Sequence, residues 1–405
     1  MKWNWQQPDW PNFRWNSEAL ALHEARFLQQ SGIMIGVVKH LGDEDRTSVV
    51  LDVMTDEAMK TSQIEGELLN RDSVQSSLRR EFGLETEARR IPPAERGIAE
   101  MMMALYRDFA APLTEAVLGD WHRLVLSGRR DIDVVGRYRE HEDAMQVVSG
   151  ALHKPTVHFE APPSREMAAE MTRFLEWFAA TAPGGAAPLP GLTRSGLAHL
   201  YFVTIHPFED GNGRIGRAIA EKALSQAIGQ PSLIALSQTI QRRRSAYYDA
   251  LEAANKANEV SDWLAYWADT VLEAQTHSLA LIDFLLEKTR FHDRFRGKLN
   301  ARQEKVVARM FREGLDGFKG GLSAANYISI ADTSRATATR DLQELVALGA
   351  MGQTGTLKAT RYHLILEAVA GTNPPVNQAL SPGQSSPAEW PRPYRSAQTP
   401  GFCRR

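Results

Sequence analysis

The hydrophobic residues of this chain recur mostly at three- and four-residue intervals, which is the spacing of amphipathic helices. Asp56 and Glu57 follow Thr55 as first-turn acids follow a helix N-cap, so a helix is predicted to start there. Further helices are predicted at 17–41, 72–82, 95–108, 114–126, 164–180, 192–205, 213–228 and 241–255. Only residues 145–160 look extended, as two short strands separated by Gly150 and a turn. The pattern predicts a mainly α-helical fold with one β-hairpin.

The pattern changes after Glu287. Three short helices are predicted at 301–312, 323–329 and 334–348, followed by two strands around Gly355 within 351–365. Three helices and then a hairpin predict a winged helix-turn-helix unit. The last stretch, 371–405, holds seven of the twenty prolines together with many Ser and Gly residues, which predicts disorder.

The start of the chain is rich in tryptophan. Trp3, Trp5, Trp10 and Trp15 fall within thirteen residues, and two prolines interrupt any regular structure there. Tryptophans at this density predict a short irregular segment that packs onto a neighbouring surface.

Composition excludes several classes of protein. Of the 405 residues, 43% are hydrophobic and 24% are charged, which is typical of folded domains. The formal charge of −2 gives no global reason to bind nucleic acid or an anionic membrane. No apolar run is long enough to span a bilayer, and the N-terminus lacks the apolar segment of a signal peptide. The only cysteine, Cys403, cannot form an intrachain disulfide, so we expect a cytoplasmic protein with no membrane partner.

The most informative segment is HPFEDGNGRIGR, which starts at His206 and has the composition of a loop that opens a helix. Its glycines tolerate backbone conformations that turn successive N–H groups inward, which makes an anion site at a helix N-terminus. Arg214 and Arg217 lie three residues apart on that helix, so both can reach one anion. Asp210 offers a hard oxygen ligand for Mg²⁺, and His206 offers a base that titrates near neutral pH. Together they predict a site for a polyphosphate, a metal ion and a hydroxyl nucleophile.

The same segment contains GNGRIG, which fits the dinucleotide-binding fingerprint G-x-G-x-x-G. That fingerprint has meaning only after a β-strand and within a βαβ unit. The preceding Leu197, Leu200 and Thr204 follow helical spacing, and no strand–helix alternation surrounds them, so a dinucleotide fold is not expected. The other alternative is that His206 is simply a core residue, and the acid, glycines and arginines in register with it argue against that.

At these residues the sequence resembles the Fic family, whose signature is H-P-F-x-[D/E]-G-N-[G/K]-R-x-x-R, and every fixed position is met. The resemblance covers roughly residues 90–270 and includes Trp121-His122, Gly136-Arg-Tyr-Arg139 and a flap at 147–159. It implies a Fic helical fold with a β-hairpin flap. It also implies protein adenylyltransferase activity, since most Fic proteins transfer AMP from ATP to a hydroxyl side chain of a target protein.

The resemblance implies a role for each residue of the signature. His206 would deprotonate a Ser, Thr or Tyr hydroxyl of the target, which could be the chain itself. Asp210 would hold Mg²⁺, the implied cofactor, with ATP as the co-substrate.

The glycines and arginines of the signature would bind the nucleotide. The backbone of Gly211, Asn212 and Gly213 would bind the α- and β-phosphates, and Arg214 and Arg217 would neutralise the remaining charge. Family members that phosphorylate their targets carry Lys in place of Gly213, so this glycine favours AMP transfer.

A downstream segment, YYDALEAAN at 247–255, resembles the adenine pocket of related members. Tyr248 would stack on the base, and Asn255 would form hydrogen bonds with it. The residues taken alone fit a helix that buries two tyrosines equally well.

An inhibitory element is also implied. On a helix, Thr61 and Glu65 share one face, which taken alone indicates a solvated acid. The segment TSQIEG nevertheless resembles the inhibitory motif of Fic proteins, [S/T]-x-x-x-E-[G/N]. In the family this glutamate pairs with the last arginine of the signature, here Arg217, and obstructs the γ-phosphate. The wider N-terminal region resembles the uncharacterised domain often found before bacterial Fic cores, so an autoinhibited enzyme is implied.

These predictions divide the chain into four parts: an N-terminal helical domain carrying the inhibitory helix at 1–88, a Fic catalytic core at 89–275, a winged helix-turn-helix domain at 288–367, and a disordered Pro/Ser-rich tail at 368–405. The region 295–366 holds eleven Lys or Arg against six Asp or Glu, a local excess of positive charge.

The third helix of the winged unit, with Ser334 as its N-cap, resembles a DNA-recognition helix. Its buried face is predicted to consist of Ala338, Leu342 and Leu345. The candidate phosphate contacts of the winged unit are Arg335, Arg340, Lys358 and Arg361. A DNA-binding regulator whose Fic core modifies itself or a partner is therefore the alternative function. The unit could equally serve for dimerisation, which would make a homodimer, or for docking of a target. The sequence also leaves open de-AMPylation or other phosphate-group transfer, and the identity of the target.

Overall fold

The computed structural model describes residues 2–85, 90–151, 154–318 and 320–366, and within these ranges the chain is mainly helical, as predicted. The helices are α1 (Ser17–Lys39), α2 (Asp43–Ile64), α3 (Arg71–Glu81), α4 (Pro93–Arg107), α5 (Glu115–Val125), α6 (Met167–Ala180), α7 (Gly191–Ile205), α8 (Asn212–Ile228), α9 (Leu236–Arg242), α10 (Arg244–Ala254), α11 (Ser261–Arg294), α12 (Ala301–Arg312), α13 (Ala324–Ala331) and α14 (Arg335–Ala347). The strands are β1 (Gln146–Ala151), β2 (Lys154–Glu160), β3 (Met351–Thr354) and β4 (Arg361–Leu364). None of the described helices is long and apolar enough to cross a membrane. The predicted tail at 368–405, with Cys403, lies outside the described residues.

The described residues form two compact units. The first comprises residues 2–41 and 46–278, and the second comprises 279–366 together with Gly42–Asp45. Both the predicted catalytic core and most of the predicted N-terminal domain contribute to the first unit.

Helices α7 and α8 are the most deeply buried helices around the signature in the first unit. Buried residues occupy nearly every position of α7 and most positions of α8. A side-chain carbon added at Gly216 would lie 2.9 Å from Val203 and 3.2 Å from His199, so the two helices approach too closely there for any side chain. This packing fixes the start of α8 relative to the end of α7, where His206 lies.

The tryptophan-rich start packs onto the first unit, as predicted. Trp3 meets Phe159 of β2 edge-on, with ring centroids 5.3 Å apart. The indole N–H of Trp5 donates to the carbonyl of Glu160 at 2.6 Å, and Trp10 packs edge-on against a tyrosine of α7. The segment thus joins the first hairpin to α7.

The predicted helix start at Thr55 is wrong. Helix α2 is continuous through this position, and the buried Thr55 hydroxyl donates to the carbonyl of Leu51 at 2.6 Å. A Thr hydroxyl can bond the carbonyl one turn earlier as readily as it caps a helix, so the residue type does not distinguish the two positions. Glu57, taken as a first-turn acid, instead accepts one bifurcated hydrogen bond, in which the backbone N–H of Ser237 is shared by both carboxylate oxygens.

Two other boundaries differ from the prediction. The helix predicted at 241–255 is preceded by α9, which periodicity did not indicate, and the two helices meet at Arg243. The change of pattern after Glu287 falls inside α11, which runs through that point because no Gly or Pro occurs between its start and Gly297.

The second unit contains the three helices and the hairpin in the order expected of a winged-helix unit, whose identity stays a prediction. The predicted inward face of α14 is fully buried. Asp341 of this helix accepts hydrogen bonds from Arg302 of α12 at 2.8 Å and from the hydroxyl of Tyr327 of α13 at 3.0 Å. Strands β3 and β4 are antiparallel, with Met351 opposite Leu364.

Candidate active site

His206 follows α7 in a left-handed backbone conformation, with a φ of 53°. Its ring Nδ1 lies 3.2 Å from the carbonyl of Val203, so Nδ1 carries the proton in this contact and Nε2 keeps its lone pair. Burial lowers the pKa of His206 to about 4, and the ring is therefore neutral at pH 7. A neutral ring with an unprotonated Nε2 is the state that a general base requires.

Residues outside the signature shape the loop that follows His206. The guanidinium of Arg139 is buried, and it donates to the carbonyl of His206 and to the hydroxyl of Ser164, each at 2.8 Å. His122 stacks on Phe208 of the loop, with ring centroids 4.0 Å apart. The histidine and the arginine that extend the Fic resemblance beyond the signature thus hold the loop in place.

The glycines of the signature open α8. Gly211 is the N-cap of this helix, with a φ of 82°. The side chain of Asn212 bonds back to the N–H and the carbonyl of Phe208, at 3.0 and 2.7 Å. The amide of Asn212 therefore braces the loop, and the backbone N–H groups of the first turn are left to bind an anion.

Asp210, the predicted metal ligand, has a side chain that is 36% exposed. One oxygen accepts from the N–H of Gly211 at 2.5 Å, and the other lies 2.9 Å from Nη1 of Arg129. Mg²⁺ is usually bound through one or two carboxylates plus substrate phosphates, so one accessible carboxylate beside an anion site fits this ion. Arg129, which sequence reasoning missed, has to release its oxygen before a metal ion can bind there.

Glu65 and Arg217 form an ion pair, with Oε1 2.9 Å from Nη2. Arg217 also donates to the hydroxyl of Thr61 at 2.8 Å and to its carbonyl at 2.9 Å. The side chain of Arg217 is 2% exposed. Burial opposes its charge, but the Glu65 carboxylate together with Tyr247 and Tyr248 more than compensates, so the pKa of Arg217 is raised. A side chain at Gly213 would overlap the Glu65 carboxylate, so this contact requires glycine there.

Arg214 contacts an acid that sequence reasoning did not single out. Its Nη1 lies 2.7 Å from Oε2 of Glu67, and its side chain is 5% exposed. The two arginines, predicted to reach one anion, thus each hold a separate carboxylate. The position of Glu67, two residues after Glu65, could have pointed to this contact. It was missed because the motif that the segment resembles ends at Gly66.

The two predicted adenine residues have different surroundings. Tyr248 is close enough to Glu65 and Arg217 for their charges to act on its phenol, whose pKa is raised mainly by burial. Asn255 is 7% exposed, its carbonyl accepts from the N–H of Asn4 at 2.7 Å, and its side chain accepts from the hydroxyl of Thr204 at 3.3 Å. The charges of Glu65 and Arg217 therefore act on Tyr248, whereas Asn255 helps to anchor the start of the chain.

The predicted flap is the hairpin of β1 and β2, and it is tied to α10. Nε2 of His158 lies 2.6 Å from the hydroxyl of Ser149 on the opposite strand. Its Nδ1 lies 2.8 Å from Oε2 of Glu252, which follows Tyr248 by one turn of α10. One histidine therefore connects both strands of the flap to the helix predicted to bind adenine.

The profile of the Fic/DOC family matches residues 112–224, which include the whole signature. The chain contains a Fic domain. A second profile, described as a domain of unknown function (DUF4172), matches residues 3–84, the region that holds Glu65 and Glu67.

The chain is similar to named proteins and to solved structures of the Fic family. Proteins named protein adenylyltransferase Fic from Drosophila willistoni and Drosophila virilis are each 33% identical over 148 residues, which is 36% of this chain and 26% of the fly protein. The chain thus spans about a quarter of the length of these curated relatives. A Fic family protein from Desulfovibrio desulfuricans G20 aligns at a TM-score of 0.49 and 20% identity over 86% of this chain and 97% of that one. A Fic domain containing signalling protein from Bacteroides thetaiotaomicron VPI-5482 aligns at a TM-score of 0.48 and 20% identity over 63% of this chain and 95% of that one.

We expect the ring of His206 to titrate with a midpoint near pH 4, because burial penalises the charged imidazolium. NMR of protein labelled at the histidine rings measures this midpoint, and the His206 signal is the one missing from His206→Gln. Circular dichroism over the same range checks that the chain stays folded. A midpoint near the ordinary value of about 6.5 would contradict a buried neutral base.

We expect Glu252→Ala to speed amide hydrogen exchange in β1 and β2 by about fivefold, because a lost hydrogen bond of roughly 1 kcal/mol makes local opening of the hairpin easier. Mass spectrometry of peptides from 146–160 measures the exchange. Asp249→Ala, a change at an exposed acid of the same helix, is the matched control. Equal exchange in the two variants would show that the His158–Glu252 contact does not hold the flap.

Proposed function

We propose that this protein transfers AMP from ATP to a Ser, Thr or Tyr hydroxyl of a target protein. The observation that carries the proposal is the position of His206, whose Nδ1 contacts a backbone carbonyl so that Nε2 is left as the base, directly before a helix-opening anion site within a Fic domain. The curated relatives named as protein adenylyltransferases support the same reaction class.

In this reaction the target hydroxyl oxygen attacks the α-phosphorus of ATP, the bond from that phosphorus to the bridging oxygen breaks, and pyrophosphate leaves. The hydroxyl proton passes to Nε2 of His206. Such a transfer depends mainly on positioning and on stabilisation of charge. The backbone N–H groups of Asn212 and Gly213 would hold the phosphates, as would that of Gly211 once Asp210 releases it. Arg214 and Arg217 would balance the phosphate charge.

Asp210 would hold Mg²⁺ at the same site, with phosphate oxygens completing the coordination. A bound Mg²⁺ neutralises phosphate charge and favours departure of the pyrophosphate. For the ion to bind at both Asp210 oxygens, Arg129 would have to release the oxygen that it contacts.

The proposal includes autoinhibition by Glu65. A carboxylate and a phosphate oxygen compete for the same guanidinium, and Glu65 already contacts Arg217 at 2.9 Å. Because Arg217 is buried, either anion must stay to compensate its charge. The γ-phosphate would therefore have to displace Glu65 for ATP to bind in its productive position.

We expect Glu65→Gly to raise AMP incorporation by roughly tenfold or more, since it removes a charge-assisted contact of about 1.5–3 kcal/mol that competes with phosphate. We expect His206→Ala to abolish incorporation, because the hydroxyl then has no base. Incubation with ATP and Mg²⁺ followed by intact-mass spectrometry measures the product on the chain itself.

The added mass separates the outcomes of this experiment. An added AMP supports the proposed reaction, whereas an added phosphate would assign transfer of the terminal phosphate instead. Equal incorporation by wild type and Glu65→Gly would contradict the inhibitory role of Glu65 and leave the transfer reaction intact.

A second candidate function, DNA binding, is favoured by two exposed arginines on α14. This helix is capped by Ser334, whose hydroxyl accepts from the N–H of Thr337 at 3.3 Å. Arg335 and Arg340 are exposed on it, in a region with a local excess of positive charge. A helix that exposes arginines near its start, behind a short connection, suits insertion into the major groove.

We expect the full chain to retard duplex DNA in a gel at low salt and to lose this binding as salt rises, because phosphate contacts release counterions. Arg335→Ala/Arg340→Ala should weaken the shift by about tenfold or more. Arg312→Ala, at an exposed arginine of α12, is the matched control. No retardation at low salt would favour a protein-docking role for this unit.

A further inference from the structure

The turn after α2 carries two carboxylates to two arginines. Gly66 has a φ of 83°, a left-handed conformation that reverses the chain direction at the end of the helix. The backbone N–H groups of Gly66 and Glu67 donate to the carbonyls of Gln63 and Ser62, each at 3.0 Å. Glu65 and Glu67 therefore flank a fixed turn.

Each carboxylate has its own arginine. Glu65 lies 2.9 Å from Arg217, and Glu67 lies 2.7 Å from Arg214. The two guanidiniums are 2% and 5% exposed, so water compensates little of their charge. With both contacts formed, two buried positive charges face two negative charges.

Arg214 also lies near the predicted metal ligand, Asp210. Its Nη2 lies 3.7 Å from Oδ1 of Asp210, and its Nη1 lies 3.4 Å from the carbonyl of Val125. Its buried Nε has no hydrogen-bond partner among the described residues. Glu67 thus contacts only one nitrogen of the Arg214 guanidinium, and the Nε–H is a further donor for an anion.

We propose that Glu67 is a second inhibitory carboxylate, which blocks Arg214 as Glu65 blocks Arg217, and that the ligand able to displace both is a nucleoside triphosphate. This inference rests on the proposed nucleotide-binding function of the signature. A single phosphate bound at the start of α8 supplies oxygens for the backbone N–H groups. A polyphosphate chain also reaches the two guanidiniums, and so it alone replaces both carboxylates.

The two contacts are expected to act separately. They involve different carboxylates and different guanidiniums, and only Glu65 lies against Gly213. Removing one carboxylate therefore leaves the other arginine blocked. We expect the double variant to bind ATP more tightly than either single variant, and the departure from additivity measures the coupling between the two contacts.

The test measures ATP binding without turnover. In a His206→Ala background, isothermal titration calorimetry with ATP and Mg²⁺ gives Kd for the parent, Glu65→Gly, Glu67→Gln and the double variant. We expect about tenfold tighter binding from Glu67→Gln and still tighter binding from the double variant. AMP binding should change little in Glu67→Gln, because AMP lacks the outer phosphates.

Glu44→Gln is the matched control, since it removes an exposed carboxylate from the first turn of α2. Thermal melting without nucleotide checks that Glu67→Gln, whose amide keeps the shape of the side chain, remains folded. An ATP affinity unchanged by Glu67→Gln, or an equal gain for ATP and AMP, would overturn the inference.

The outcomes also separate this inference from the proposed function. If Glu65→Gly tightens ATP binding and Glu67→Gln does not, the inhibitory role of Glu67 is overturned and that of Glu65 stands. Tighter binding by Glu67→Gln in a chain that never incorporates AMP would support the second carboxylate and contradict AMP transfer.

Discussion

Two guanidinium groups lie buried at the start of α8, and the surrounding structure is arranged to compensate their charge. Arg214 and Arg217 are 5% and 2% exposed, and a buried charge without a partner costs several kcal/mol. The turn after α2 supplies a carboxylate to each of them. The same contacts that would close the nucleotide site therefore also stabilise the first unit, and they join the DUF4172 region to the Fic domain through a small number of charged atoms.

The burial of these two arginines limits how the proposed inhibition could be relieved. A lid held by apolar contacts can open into water, whereas withdrawal of Glu65 or Glu67 would leave a charged arginine in the interior. The phosphate groups of a nucleotide also offer negative charge and two oxygens for bidentate hydrogen bonds to a guanidinium. Ligand binding would therefore be an exchange of anions at a fixed pair of arginines, and without ligand the carboxylates would stay because the buried arginines need a compensating anion.

The parts of this arrangement that are local in sequence could be predicted. Periodicity indicated most of the helices, and the glycines between His206 and Arg217 indicated a loop that opens a helix. Thr55 was assigned wrongly because its hydroxyl can either cap a helix or bond back within one. Glu67 and Arg129 were missed because their partners lie 147 and 81 residues away along the chain. Neither the spacing of residues nor a motif that ends at Gly66 carries information about such contacts.

Helix α10 connects the nucleotide side of the site to the flap. Tyr248 lies within the field of Glu65 and Arg217, and one turn later Glu252 bonds His158 of the flap. The start of the chain reinforces this connection, since the N–H of Asn4 donates to the carbonyl of Asn255 just after α10, and Trp5 bonds β2. A movement of Glu65 away from Arg217 would change the charges that act on Tyr248. Because Glu252 holds the flap from the next turn of α10, the proposed inhibitory contact and the flap would then both act on the same helix.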